Sequence, residues 1–568
     1  MIADILPTSL FPAAILIVGG LLIPLIPQSM RKVYMLALPI VGLLHLLGYA
    51  DGSYGEGSLF GFTLTIMRVD GLSRIFSVIF FIATALNIIY AWHVRDLMQQ
   101  VTSVVYPGTA LGGVLAGDLI TLFVFWEFAA ISSVFLIWAG RTERAMKASV
   151  RYLIIQVGSG VLLLGGLVLY AHETGSIAFE AMELTTFPVL LIFLAFGIKS
   201  AFPLLHNWVQ DSYPESTVTG TIVLSIFTTK LAVYSLARGF AGTEQLIWIG
   251  AAMTLFPIFF AVIEDNLRKV LSYSINNQVG FMVVAIGIGT PLAINGAAGY
   301  AFCNILFEGL LFMSMGAVLF RTGTIQASEL GGIYKSMPIT AFFCIIGALS
   351  IAAFPLFAGF VTKGLIIDAV SSEHMVWIWA ILLFASAGVL EHAGIKIPYF
   401  AFFAHDSGKR CKEAPPGMLV AMGISAVLCV AIGVYPAPLF DLLPYEMDYQ
   451  PYTTGHVITQ LQLLLFAILA FVVLIRVGVY PPEIKSTNLD TDWIYRKLVP
   501  AGLTVVGRGM GTAQQWIAAR AQRHLDRFVD RLYLLHGPES RLARSWPAGH
   551  MALWIAILLG ITLILNYF

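Results

Sequence analysis

Charge is scarce in this chain. Only 11% of its 568 residues are charged, and 32 Lys and Arg balance 32 Asp and Glu for zero net charge. Nothing in that balance suggests nucleic acid as a partner, and none is expected. Cysteine is nearly absent: Cys303, Cys344, Cys411 and Cys429 lie far apart, with no C-x-x-C pair. That argues against an iron–sulfur cluster, a zinc site or a disulfide framework, and no metal is expected. No G-x-G-x-x-G follows a strand and no P-loop occurs. Nucleotides and redox cofactors therefore have no recognisable home, and no cofactor is expected. The N-terminus lacks a positive n-region and a small-residue cleavage site, so the first apolar run reads as a retained helix.

What is abundant is apolar sequence, at 58% and a mean hydropathy of +0.85. A soluble chain of this size has no way to bury that much apolar surface, so the bilayer must serve as solvent. A spanning helix takes about 20 apolar residues. Such runs occur near 9–26, 32–50, 71–92, 101–118, 119–139, 147–170, 186–205, 217–238, 246–263, 271–290, 296–320, 338–360, 376–399, 417–436, 456–476 and 549–567. The fold class expected is an all-α polytopic membrane protein of about 14–16 transmembrane helices. Arg31-Lys32, Arg141-Arg144-Lys147, Arg268-Lys269, Arg321-Lys335 and Lys409-Arg410-Lys412 fall on alternate connections. The positive-inside rule puts these on the cytoplasmic side of a cell membrane and both termini outside. The opposite loop at 51–69 is glycine-rich, with Phe60, Phe62, Leu64 and Ile66 alternating as in a small hairpin.

The segment 477–548 stands apart. Nine Lys and Arg face four Asp and Glu between 491 and 548, and Leu525, Phe528, Val529, Leu532 and Leu535 recur at helical spacing with Arg523, Arg527 and Arg531 on other faces. This pattern fits a cytoplasmic amphipathic helix lying on membrane lipid or against a neighbouring subunit.

Ionisable residues inside apolar spans carry the functional reading. A charge at the bilayer centre costs roughly 2.5–3.5 kcal/mol on insertion scales and marks function by default. Glu127 sits in LFVFWEFAAISSVF, Lys199 in LIFLAFGIKSAFPLLHNW, Lys230 in VLSIFTTKLAVYSL and Glu308 in AFCNILFEGLLFMSMG. Lys363 follows FPLFAGFVT, and Glu391, His392 and Lys396 share the span 376–399. Against transport stand structural ion pairing for the first four and snorkelling for Lys363. Lys396, beside Pro398 near a helix end, reads as a snorkelling residue. Pro203 and Pro355 each interrupt a span beside a lysine, and Ala201-Phe202-Pro203-Leu204 repeats as Ala353-Phe354-Pro355-Leu356 five spans later. Broken helices at matching places in inverted repeats point to a transport site, and their unwound backbone admits water. Protons, with Na+ or K+ as a possible counter-ion, are the expected cargo.

Particular stretches carry a resemblance. RVDGLSRIF (68–76), FWEF (125–128), GIKSAFPLLHNWVQDSYPES (197–216), TTKLAVYSLAR (228–238), EDNLRKVLSYSINNQVGF (264–281) and GFVTKG (359–364) resemble the antiporter-like subunits of respiratory complex I and the large subunits of Mrp-type cation/proton antiporters. YPAPLFDLLPY and NLDTDWIYRKL are most similar to the D-type Mrp subunits. The resemblance implies two inverted five-helix repeats, 101–238 and 239–400, each with a broken helix. They follow N-terminal helices with the outer hairpin (1–100) and precede helices at 401–476, the lateral helix at 477–548 and a last span at 549–568. It implies that Glu127 pairs with Lys199, that Lys230 is the next lysine inward, that Lys363 ends the relay, and that His206 follows the first break. Where the family often reads His-x-x-x-Lys, this chain has Asn304 and Glu308, and Lys396 is a candidate partner for that carboxylate. The expected function is proton translocation within a multisubunit complex, by cation/proton antiport. The alternatives are a pumping subunit of a redox complex, a proton-conducting partner of a bicarbonate-uptake protein, a solute transporter of another fold, and a scaffold.

Overall fold

In hydrocarbon every backbone N–H and C=O must be satisfied within the protein, which leaves the helix as the available spanning form for apolar runs. The computed structural model follows this rule. It describes residues 11–567 apart from 60, 486, 487, 539, 541, 542, 545 and 546, so the first two residues of the span expected at 9–26 lie outside it. Among the described residues, twelve helices are long and apolar enough to cross a membrane, and three shorter apolar ones span Pro12–Leu25, Phe187–Lys199 and Pro338–Ile351. The protein is a multi-pass membrane protein.

The chain divides into two units, Met1–Asn488 and Leu489–Phe568. The larger opens with α1 (Pro12–Leu22) and α2 (Gln28–Leu46), then β1 (Gly52–Leu59) and β2 (Phe62–Val69). These two strands pair antiparallel from Gly52↔Val69 to Leu59↔Phe62, the hairpin that the alternation in 51–69 suggested. Asp70 caps α3 (Gly71–Tyr90) through a capping box with Ser73. Its carboxylate also accepts two bonds from Arg238, at 2.7 and 2.8 Å.

The first repeat runs through α4 (Leu97–Leu115), α5 (Leu119–Trp138), α6 (Glu143–Thr174), α7 (Phe187–Lys199), α8 (Asn207–Ser212) and α9 (Val218–Gly239). Although α4 is less apolar than its neighbours, its Gln100, Thr102, Ser103 and Thr109 are buried against protein rather than lipid. The second repeat runs through α10 (Glu244–Ile263), α11 (Leu267–Ile288), α12 (Pro291–Thr322), α13 (Pro338–Ile351), α14 (Ala358–Ser372) and α15 (Val376–Val389). From there the chain continues as a π-helical turn (Leu390–Ile395), the short α16 (Lys396–Pro398) and a second π-helical turn (Tyr399–Phe403). Then come α17 (Pro416–Val434), α18 (Ala437–Phe440) and α19 (Thr454–Val477). The smaller unit holds α20 (Val499–His536) and α21 (Ala548–Tyr567). On α20, Leu525, Phe528, Val529, Leu532 and Leu535 are exposed.

The two repeated tetrapeptides adopt one backbone form. Ala201 and Leu204 have φ of 62° and 70°, and Ala353 and Leu356 have 60° and 74°. Such left-handed residues end a helix sharply. Pro203 and Pro355 supply no N–H with which to resume it. Each break therefore leaves the C-terminal carbonyls of a half-helix, α7 or α13, inside the bundle.

Candidate functional site

The structure brings the sequence-predicted ionisable residues into the interior. Lys199, Lys230, Glu308 and Lys363 are each 1% exposed and His206 is 2% exposed. Lys363 is thus buried rather than snorkelling.

The first cluster joins α5, α6 and α7. Lys199 closes α7, where the negative end of the half-helix dipole favours a cation. Its ammonium donates to the Trp126 carbonyl at 2.6 Å and lies 4.2 Å from the Trp126 ring centre, a cation–π distance. The indole is fixed in turn: Nε1–H donates to Ser159 Oγ at 3.0 Å, and the Ser159 hydroxyl donates to the Ala195 carbonyl at 2.8 Å. Glu127 is half-buried and close enough for its charge to act on Lys199. Among the described residues no ion pair closes between them. The Glu127 carboxylate packs instead on Gly160 of α6, where any side chain would collide with Oε1. The expected direct pair is replaced by a shared platform, because adjacent positions on α5 point to different sides of the helix.

The second cluster joins α9 and α12. Lys230 Nζ lies 3.9 Å from Glu308 Oε2 and donates to the Ser225 carbonyl at 3.1 Å. The acidic departure at Glu308 is therefore answered by Lys230, not by Lys396. Thr229, next to Lys230, and Gln156 and Asn276 on α6 and α11 carry buried polar atoms that no protein group satisfies among the described residues. Groups of that kind ordinarily take water. Tyr106 and Thr228 share a short hydrogen bond, and the Tyr152 and Ser133 hydroxyls meet at 2.8 Å.

Lys363, on α14, reaches back across the second break. It donates to the Ile351 carbonyl, the last of α13, at 3.1 Å, and lies 5.0 Å from the Phe281 ring centre and 5.7 Å from that of Tyr300. Lys199 and Lys363 thus both stand at the carbonyl end of a broken half-helix. A polar cavity of about 510 Å³ lies along the rest of α14, lined by Gly364, the residue after Lys363, with Asp368, Asp448, His456 and Gln460. His206 precedes α8, with its ring centre 4.4 Å from that of Phe256.

Lys396 corrects the sequence reading. It is fully buried and does not snorkel. Its partner is Glu483, at 2.9 Å, a residue that no periodicity marked. Among the described residues no cluster of His, Cys, Asp and Glu with metal-ligand geometry occurs.

Known proteins share this architecture. The chain is 29% identical over 352 residues to the D-type subunit of the Na(+)/H(+) antiporter of Bacillus subtilis, covering 58% of this chain and 68% of that one. It is 26% identical over 483 residues to the A-type subunit of the Na(+)/H(+) antiporter of Alkalihalophilus pseudofirmus, covering 73% of this chain but only 60% of the relative. Among solved structures, the Mrp complex from Dietzia sp. DQ12-45-1b superposes with a TM-score of 0.76 at 23% identity, over 88% of this chain and 59% of that one. Respiratory complex I from Thermus thermophilus superposes with a TM-score of 0.67 at 21% identity, over 77% of this chain and 100% of that one. Residues 116–388, which hold the first break, the Lys230–Glu308 pair and Lys363, match the family described as NADH:quinone oxidoreductase/Mrp antiporter, TM. Over that stretch, just under half of its length, the chain is similar to this transmembrane family.

Proposed function

We propose that the protein is the proton-translocating membrane subunit of a multisubunit cation/proton antiporter, with Glu127, Lys199, Lys230, Glu308 and Lys363 as its relay and His206 beside the first break. The observation that carries this reading is the set of buried lysines in the bundle: Lys199 on the Trp126 carbonyl, Lys230 beside the Glu308 carboxylate, and Lys363 on the last carbonyl of the broken half-helix α13. The names of the relatives, D-type and A-type antiporter subunits, agree with it. An ammonium out of water is stabilised by an approaching carboxylate. Approach of Glu127 therefore loads a proton on Lys199, and withdrawal releases it inward toward Lys230. Buried hydroxyls and amides such as Thr229 and Asn276 support water bridges between the charged stations. The basic loops face the cytoplasm in this scheme.

The test uses the native assembly in proteoliposomes. Glu127→Ala or Lys199→Ala abolishes ion flux while assembly survives. Undiminished flux in either variant removes the proposal. A redox-complex role would use the same relay, and the subunits that copurify with the chain distinguish it.

A further inference from the structure

A second group of buried ionisable side chains lies at the basic-loop end of the second repeat, outside the relay above. Lys396 stands between two π-helical turns, whose wider winding re-aims side chains and recurs at functional sites. Its ammonium donates to the Val262 carbonyl at 2.6 Å and meets Glu483 Oε1 at 2.9 Å. Glu483 belongs to no spanning helix. It lies on the strap Tyr480–Lys485, which follows α19 and is tied down along its length. The Tyr480 hydroxyl donates to Glu391 Oε1 at 2.6 Å, and Lys485 pairs with Glu329. Beside the strap lies a cavity of about 330 Å³, bordered by Tyr399, Phe400, His405 and Glu483.

On the inner side of Lys396, His392 is fully buried, and among the described residues no side chain hydrogen-bonds its ring nitrogens. Lys363 and Lys396 are both near enough for their charges to act on it. One stretch of α13 carries the junction. A Cβ on Gly394 would lie 3.3 Å from Ala352 Cβ and 3.6 Å from the Ala348 carbonyl, while Lys363 binds the Ile351 carbonyl between them.

We propose that His392, Lys396 and Glu483 form a proton port joining Lys363 to the basic-loop end, with the Tyr480–Lys485 strap as its gate. With the polar cavity along the rest of α14, the second repeat then holds a complete crossing of its own. The proposal rests on the relay reading. In one turnover the Lys396 ammonium gives a proton through bridging water to one imidazole nitrogen of His392, and the imidazolium gives its other N–H proton, again through water, to the neutral amine of Lys363. The Glu483 carboxylate, left beside a neutral amine, takes a proton from water in the cavity and passes it to Lys396, which restores the ion pair. Lys363 then gives its extra proton to water toward the polar cavity lined by Asp368 and His456, and the imidazole returns to its first tautomer by a ring flip, so that one proton crosses and each group recovers its starting state. The groups facing this path are Glu391 beside Lys396, Glu264 and Asp265 beside Glu483, and His405 at the cavity.

The experiment uses everted vesicles containing the native assembly, with proton flux read from acridine orange fluorescence on adding NaCl or KCl. Lys396→Arg keeps a cation opposite Glu483 but holds its proton at every working pH, so flux falls about tenfold or more with assembly unchanged. A merely structural ion pair tolerates arginine. His392→Gln, which cannot titrate, gives the same loss and decides the matter should Lys396→Arg fail to assemble. Tyr480→Phe unlatches the strap and raises the passive proton leak; an unchanged leak removes the gate. Wild-type flux in Lys396→Arg or His392→Gln, beside abolished flux in Lys199→Ala, overturns the port and leaves the relay standing. Wild-type flux in Lys199→Ala overturns the relay itself.

Discussion

Glu308→Gln is the sharpest perturbation available, because glutamine keeps the size of the side chain and removes only its charge. The Lys230–Glu308 separation is 3.9 Å. At an effective dielectric constant of about 20, two unit charges at that distance attract by about 4 kcal/mol. Both side chains are almost wholly buried, so water cannot take over when the carboxylate is lost. If the relay passes through a charged Lys230, the same energy enters the barrier and slows flux about a thousandfold. Stability suffers too, since removing one member of a buried pair strands the other at a cost of about 3–5 kcal/mol. Lys230→Met combined with Glu308→Gln strands no charge. The double variant therefore recovers most of the lost thermal stability of the purified assembly, while flux stays absent. The measurements are proteoliposome flux and melting of the detergent-solubilised complex, on wild type, each single variant and the double. Normal flux in Glu308→Gln would refute the assignment of this pair to the path. A double variant no more stable than Glu308→Gln would refute the stranded-charge account.

Three further outcomes follow from the geometry. Gly160→Ala drives a methyl group into Glu127 Oε1, so the carboxylate must leave its seat; flux falls at a packing cost of about 1–3 kcal/mol, and unchanged flux means that the seat is not used. Ala201→Gly relieves the left-handed strain at φ 62°, and melting should report a gain of about 1 kcal/mol. Burial works against the Asp70 carboxylate, but its bonds to Arg238, with help from Ser73 and Arg68, hold it below the usual carboxylate range. Its stabilisation is therefore present above the ordinary carboxylate pKa and is lost as pH falls through the depressed one. Asp70→Asn keeps the helix cap but loses the charge-assisted bonds, lowering stability by about 2 kcal/mol at neutral pH and flattening the acid side of the melting profile.

Much of this was legible in the residues. Hydropathy located the spans, the hairpin showed in its alternation, and the duplicated Ala-Phe-Pro-Leu marked both breaks, since proline and its preceding residues govern the backbone locally. Charges mid-span, from Glu127 to Lys363, were visible because nothing but protein can shelter them there. The pairing of those charges was not legible. Whether Glu127 meets Lys199 or rests on Gly160, and whether Glu308 takes Lys230 or Lys396, depends on how helices are rotated against one another. Spacing along one chain does not encode that rotation. Lys396 read as a snorkelling residue because it lies near a helix end. The strap that covers that end, YPPEIK, has no periodicity to announce a buried carboxylate.

The inverted relation of the two breaks bears on voltage. The open carbonyl ends of α7 and α13 run into the bundle from opposite faces of the membrane, so Lys199 and Lys363 sit on oppositely directed dipoles. An electric field across the bilayer, worth about 2.3 kcal/mol per charge per 100 mV over the full thickness, assists proton entry to one lysine from its own side as it hinders entry to the other. If the proposed relay runs through both lysines, the sign of the membrane potential registers as an imbalance between the two halves, with no arginine-rich sensor helix required.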